Sequence, residues 1–104
     1  MTSDIRLSGQ TLRLLKMMIE KPLEGRSGAD ISKTLKIGSG TLYPLLQRLE
    51  NAGWLKSEWE QLDPSAAGRP RRRYYKLTGE GQKQAIKALA ELQTTAAGVL
   101  AWQS

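Results

Sequence analysis

The chain has 104 residues, enough for one domain with a modest core; its composition is 39% hydrophobic and 25% charged, which fits a soluble globular class rather than a disordered or membranous one. With no Cys and no His, it lacks disulfides, thiolate nucleophiles, the usual zinc ligands and the commonest general base, so no enzyme, cofactor or metal site is expected. The net charge is +6 and is unevenly placed: residues 1–68 carry nine basic and eight acidic groups, residues 77–104 carry two of each, and the remaining +5 lies in Arg69, Arg71, Arg72, Arg73 and Lys76. A cation cluster of this density attracts a polyanion.

In chain order, the start lacks the layout of a signal peptide, and no apolar run reaches the roughly 20 residues of a membrane span; a cytoplasmic protein with no membrane partner is expected. Leu12, Leu15 and Ile19 recur at helical spacing, so a first helix is predicted over 8–20, with Ser8 as N-cap and Pro22 as stop. Gly25 and Arg26 read as a connector. Ser27 and Asp30 resemble a capping box that opens a short second helix over 28–35, with Ile31 and Leu35 inward.

Lys36 to Ser39 reads as a tight turn, with Gly38 supplying a positive φ and Ser39 capping a third helix over 40–52. Leu42, Leu45, Leu46 and Leu49 form its apolar face. Gly53 ends it, and Pro44 is placed near its first turn. Two helices joined by a four-residue turn make a helix-turn-helix. The opposite face of the third helix carries Ser39, Thr41, Tyr43, Pro44, Gln47 and Arg48. It is polar and free of acids until Glu50, as suits a major groove.

After Gly53 the period changes to two. Leu55, Ser57 and Trp59 alternate with Lys56, Glu58 and Glu60 in one strand; Arg72 to Leu77 form the returning strand, with turn-forming residues 63–68 between them. On the returning strand Arg73, Tyr75 and Leu77 share the inward face. Arg72 and Lys76 have Glu58 and Glu60 as candidate cross-strand partners, whereas Arg69 and Arg71 have no obvious acidic partner and are the stronger candidates for phosphate or minor-groove contact.

Thr78 caps a last helix over 79–102, roughly 36 Å long. Ile86, Leu89, Gln93, Ala96 and Leu100 keep a helix-pairing spacing, broadened by Ala85, Leu92 and Val99. Such a stripe exceeds what a small domain can cover. A homodimer interface is therefore expected from Leu12, Leu15, Ile86, Leu89, Leu92, Ala96, Val99, Leu100 and Trp102, the last as an anchor or as the lining of a ligand pocket. The fold class expected is mainly α with a small β-hairpin. Residues 1–78 form a winged helix-turn-helix, with the first helix joining the dimer interface, and residues 79–104 form a dimerisation helix.

The segments Gly40-Thr41-Leu42-Tyr43-Pro44-Leu45-Leu46, Arg48-Leu49-Glu50, Gly53-Trp54-Leu55, Gly68-Arg69-Pro70-Arg71-Arg72-Arg73-Tyr74-Tyr75-Lys76-Leu77-Thr78 and Gly81 resemble those of the PadR family of bacterial transcriptional regulators, in the correct order over about residues 8–92. The resemblance implies a homodimeric winged-helix regulator of the short subgroup. Such a regulator represses by binding inverted repeats in duplex DNA, and some members are released by small aromatic or lipophilic effectors near the dimer interface. The chain departs from the family at Ser27-Gly28-Ala29-Asp30-Ile31, which lacks the aromatic often found there. The competing readings are a protein-interaction module using the last helix and a nonspecific nucleic-acid binder using the basic segment alone.

Overall fold

A computed structural model describes the backbone over residues 8–103 and the side chains over residues 8–91. The interface residues expected at Leu92, Ala96, Val99, Leu100 and Trp102 lie outside the described side chains.

Helix α1 spans Gly9–Glu20. The Ser8 hydroxyl caps it by accepting from the Thr11 N–H at 3.2 Å, which satisfies one of the free donors of the first turn. Strand β1, Arg26–Ser27, replaces the expected connector. Ser27 then caps helix α2, Gly28–Leu35, by accepting from the Asp30 N–H at 3.0 Å.

The turn after α2 works differently from the sequence expectation. Lys36, not Gly38, takes the left-handed conformation, with φ of 56°; Gly38 has φ of −64°. The Ile37 N–H bonds the Ser32 carbonyl at 3.2 Å, and the Ile37 side chain is 3% exposed. Burying Ile37 thus repays the strain at Lys36, as the apolar contact does in a common helix C-terminal motif.

Helix α3 is Ser39–Asn51, and its N-cap is Gly38 with no side-chain cap. Ser39 is therefore the first helical residue, not the cap. Pro44 is the sixth, one residue deeper than in the expected helix and past its first turn, so the Gly40 carbonyl receives no N–H from position 44. Leu42, Leu45, Leu46 and Leu49 are buried, and Gly53 (φ 82°) turns the chain away.

Strands β2, Leu55–Trp59, and β3, Arg73–Leu77, pair antiparallel, with Leu55 opposite Leu77, Ser57 opposite Tyr75 and Trp59 opposite Arg73. β1 pairs with the other edge of β3, giving the order β1-β3-β2. The expected hairpin is thus part of a three-stranded sheet. The turn between its long strands contains a short helix α4, Pro64–Ala67, capped by the Asp63 carboxylate, which accepts from the Ser65 N–H at 2.9 Å.

Helix α5, Gly79–Gln103, starts where Thr78 makes two bonds. Its Oγ1 donates to the Gly53 carbonyl at 2.6 Å and accepts from the Gly81 N–H at 2.9 Å. A Cβ at Gly81 would overlap the Trp54 carbonyl oxygen, so only glycine allows this close start. No helix among the described residues is long and apolar enough to cross a membrane.

One core joins these elements. Leu14, Leu15, Ile31, Leu42, Leu46 and Leu49 are all 0% exposed, and Tyr75, Leu77 and Ala85 close the cluster. Leu15 is corrected by this result: it packs inside the chain and offers no surface to a partner. Ala85 is likewise fully buried in this core. Ile86 stays 59% exposed, while Leu12 and Leu89 are half-buried.

Candidate nucleic-acid interface

The apolar side of α3 fixes what its other side presents. Because Leu42, Leu45, Leu46 and Leu49 point into the core, Ser39, Thr41, Tyr43, Pro44, Gln47 and Arg48 are all exposed. Gln47 donates to the Asn51 Oδ1 at 3.0 Å; Asn51, absent from the sequence-based set, shares this face. Tyr43 is 44% exposed and is not a free-standing aromatic. A Cβ built on Gly28 would lie 2.5 Å from its hydroxyl oxygen, so the ring rests on the start of α2. The absence of a side chain at 28 makes that contact possible.

The basic segment divides into two kinds of arginine. Arg69 donates to both carboxylate oxygens of Glu60, at 2.7 and 3.0 Å. This corrects the expectation that Arg69 lacks an acidic partner. Glu60 also accepts from the Arg72 backbone N–H at 3.2 Å. The Arg69 hydrogen bond, aided by that N–H and by the charges of Arg69 and Arg72, pulls the Glu60 carboxyl down to about 2 against the opposing effect of burial. The same bond raises Arg69 above the ordinary arginine value.

Arg73 is held by four neighbours. Its Nε donates to Ser57 Oγ at 2.9 Å and its Nη2 lies 3.5 Å from Glu50 Oε2. Its guanidinium sits 5.5 Å from the Trp59 ring centre and 5.9 Å from that of Tyr75, within cation–π range. Ser57 in turn donates to Glu50 at 2.6 Å. Tyr75 is 5% exposed, and burial pushes its phenol up.

Arg71 and Arg72 are far less committed. Arg71 donates through Nε to the Leu62 carbonyl at 3.0 Å, leaving its two terminal nitrogens without a partner among the described residues. The Arg72 side chain makes no hydrogen bond or salt bridge there and acts on Glu60 only through its charge. Of the expected cross-strand pairs, Arg72 does lie beside Glu60 and acts on it through its charge and backbone N–H without closing a salt bridge, while the register sets Lys76 opposite Lys56 and Glu58 opposite Tyr74.

The helix face and the basic strand border one cleft of about 390 Å³, walled by Gly28, Tyr43, Trp59 and Arg71 to Arg73, with no acidic residue in its lining. Sequence reasoning missed Gly28, Glu50, Ser57 and Trp59 as parts of this assembly. The period-two pattern put Ser57 and Trp59 on one face of their strand and Arg73 on the Tyr75 and Leu77 face of the other, but their register was needed to bring them together.

The sequence profile described as the transcriptional regulator PadR-like family matches residues 14–87. No curated protein matches significantly. Among solved structures, the chain is similar to a transcriptional regulator homologue from Pyrococcus horikoshii OT3, at TM-score 0.73 and 19% identity, covering 89% of this chain and 86% of that one. It is similar to MepR, a transcription regulator of the Staphylococcus aureus multidrug efflux pump MepA, at TM-score 0.71 and 23% identity, covering 97% and 67%. A Lactococcus lactis ZitR mutant aligns at TM-score 0.68 and 19% identity, covering 98% of this chain and 64% of that one. The chain thus spans about two thirds of the length of the ZitR and MepR chains, and at these identities the likeness is one of fold.

Proposed function

Because the chain belongs to the PadR-like family of transcriptional regulators, we propose that it binds duplex DNA sequence-specifically, as a homodimer on an inverted repeat, and represses transcription there. The observation that carries this reading is that Tyr43, on the exposed acid-free face of α3, lines one cleft together with Arg71, Arg72 and Arg73. A helix of this kind enters the major groove while cations beside it neutralise the flanking phosphates. MepR, which shares the fold, has been solved in a DNA-binding conformation.

In this reading Ser39, Thr41, Tyr43, Pro44 and Gln47 meet base edges. Arg48 holds phosphate, as do Arg71 and Arg72, whose donors are the least committed, whereas Arg69 and Arg73 are engaged in supporting the hairpin. Leu12, Ile86 and Leu89 begin the dimer seam, which Leu92, Ala96, Val99, Leu100 and Trp102 extend; a small lipophilic or aromatic effector is the ligand that would act there.

The test is capture of fragmented genomic DNA at about 0.15 M salt, near physiological ionic strength, followed by sequencing, with Gln47→Ala as the control. Discrete peaks that share an inverted repeat and weaken in the variant support the reading. Diffuse recovery unchanged by the variant favours nonspecific binding through the arginines, and no recovery at all favours a protein-interaction module.

A further inference from the structure

We propose that Arg73 is a positioning residue rather than a duplex contact: it locks the β2–β3 hairpin to α3 at the angle that lets both meet one duplex. The inference rests on the DNA-binding reading above and assigns separate jobs to neighbouring arginines. Glu50 lies in the last turn of α3, Ser57 on β2 and Arg73 on β3. One guanidinium therefore ties three elements together, through Ser57 at 2.9 Å, Glu50 at 3.5 Å and the rings of Trp59 and Tyr75.

A contact arginine needs free donors to give to phosphate. Arg73 gives its Nε donor to Ser57, sets Nη2 against Glu50 and lays its planar face near two aromatic rings. Turning the guanidinium onto a duplex would weaken these contacts, the Glu50 pair among them. Arg71 and Arg72 face no such loss. Strand pairing fixes the hairpin internally; the buried Leu55, Tyr75 and Leu77 seat its base against α3, and the Glu50–Ser57–Arg73 connection holds the part beyond that base. Fixing the hairpin's angle to α3 before binding removes an ordering cost from association.

The planar fork and its stacking are specific to arginine, and lysine reproduces only the charge. Arg73→Lys therefore separates the two roles. A duplex selected from a random pool with the wild-type protein serves as probe, and affinity is measured against salt concentration. Arg73→Lys loses about tenfold or more in affinity, the order expected when coupled charged neighbours are separated, while its salt slope stays that of the wild type. Glu50→Ala also loses affinity, although it removes a negative charge. Arg71→Gln and Arg72→Gln each lower the slope by about 1 per protomer, the signature of a lost phosphate contact.

Wild-type affinity in Arg73→Lys, or tighter binding in Glu50→Ala, overturns the proposal. A second measurement needs no DNA. Since the chain has no Cys, spin labels at Gln47→Cys and Ala66→Cys report the distance from α3 to the hairpin tip, with labelled chains diluted in unlabelled ones. A narrow distribution that broadens in Arg73→Lys supports the lock, and equal breadth in both proteins refutes it. If no duplex is bound by any variant, the DNA-binding reading fails, and the label distances still decide whether Arg73 sets the angle.

Discussion

The outward face of α3 and the β2–β3 hairpin border the same cleft but are built on opposite terms. The helix face is presented by what lies behind it: four buried leucines turn Ser39, Thr41, Gln47 and Arg48 outward, and these side chains are tied to little except Asn51. The hairpin has almost no core of its own, and its outer part is organised by polar contacts, Arg69 with Glu60 and Arg73 with Glu50 and Ser57. In one region apolar packing does the positioning and leaves the polar groups free. In the other, part of the charge is used for positioning, so a count of cations overstates those available to a partner. Formal charge and available charge differ wherever a domain is too small to support a projecting loop by burial.

The comparison is tested most severely at the shared support. Leu46→Ala empties a fully buried site and is expected to cost about 2–5 kcal/mol. Far-UV circular dichroism and tryptophan fluorescence should report one coincident urea transition, shifted in the variant. Separate transitions would mean that the hairpin is an independent unit and not an extension of the core.

A smaller effect is expected at Gly28, where the helix face leans on α2. Gly28→Ala forces the Tyr43 ring aside and should cost about 1–3 kcal/mol by overpacking. Combined with Tyr43→Ala, most of that cost should vanish, giving a coupling of at least ~0.5 kcal/mol in urea unfolding. Additive costs would show that Tyr43 does not rest on Gly28 in solution.

The smallest effect concerns the hairpin's polar support. The folded Glu60 carboxyl titrates at about 2, below its ordinary 4.5. Its pairing with Arg69 therefore stabilises the fold above pH 4.5, and the contribution is lost as pH falls from 4.5 towards 2. Thermal unfolding across that window should show wild type and Arg69→Gln converging as the pH drops. A constant difference would mean that Glu60 is not held by Arg69.

The helices were legible because each carries its own periodic signal and stop: Leu42, Leu45, Leu46 and Leu49 for α3, Ser8 and Ser27 as caps, Gly53 and Pro22 as ends. The turn before α3 was harder, since a buried Ile37 let Lys36 adopt a conformation that local propensity assigns to Gly38. β1 was invisible because two residues carry no period; pairing with β3 alone makes Arg26 and Ser27 a strand. The exposed candidates on α3 followed from its apolar face. The division among the arginines did not, because Glu50 finds its partner through strand register and Glu60 through a turn that brings back Arg69 from nine positions away, neither of which local sequence specifies.

That two-residue strand has one more consequence. With β1 and β2 on either side, β3 has no open flank over its central residues, and the long unpaired edge of the described sheet belongs to β2. Unpaired backbone edges invite strands from other molecules, and charged side chains along them discourage it. β2 carries Lys56 and Glu58, whereas β3 carries Tyr74 and Tyr75 side by side. By pairing with β3, Arg26 and Ser27 leave the tyrosine-bearing strand no free edge at Tyr74 and Tyr75 for a neighbour's strand to join.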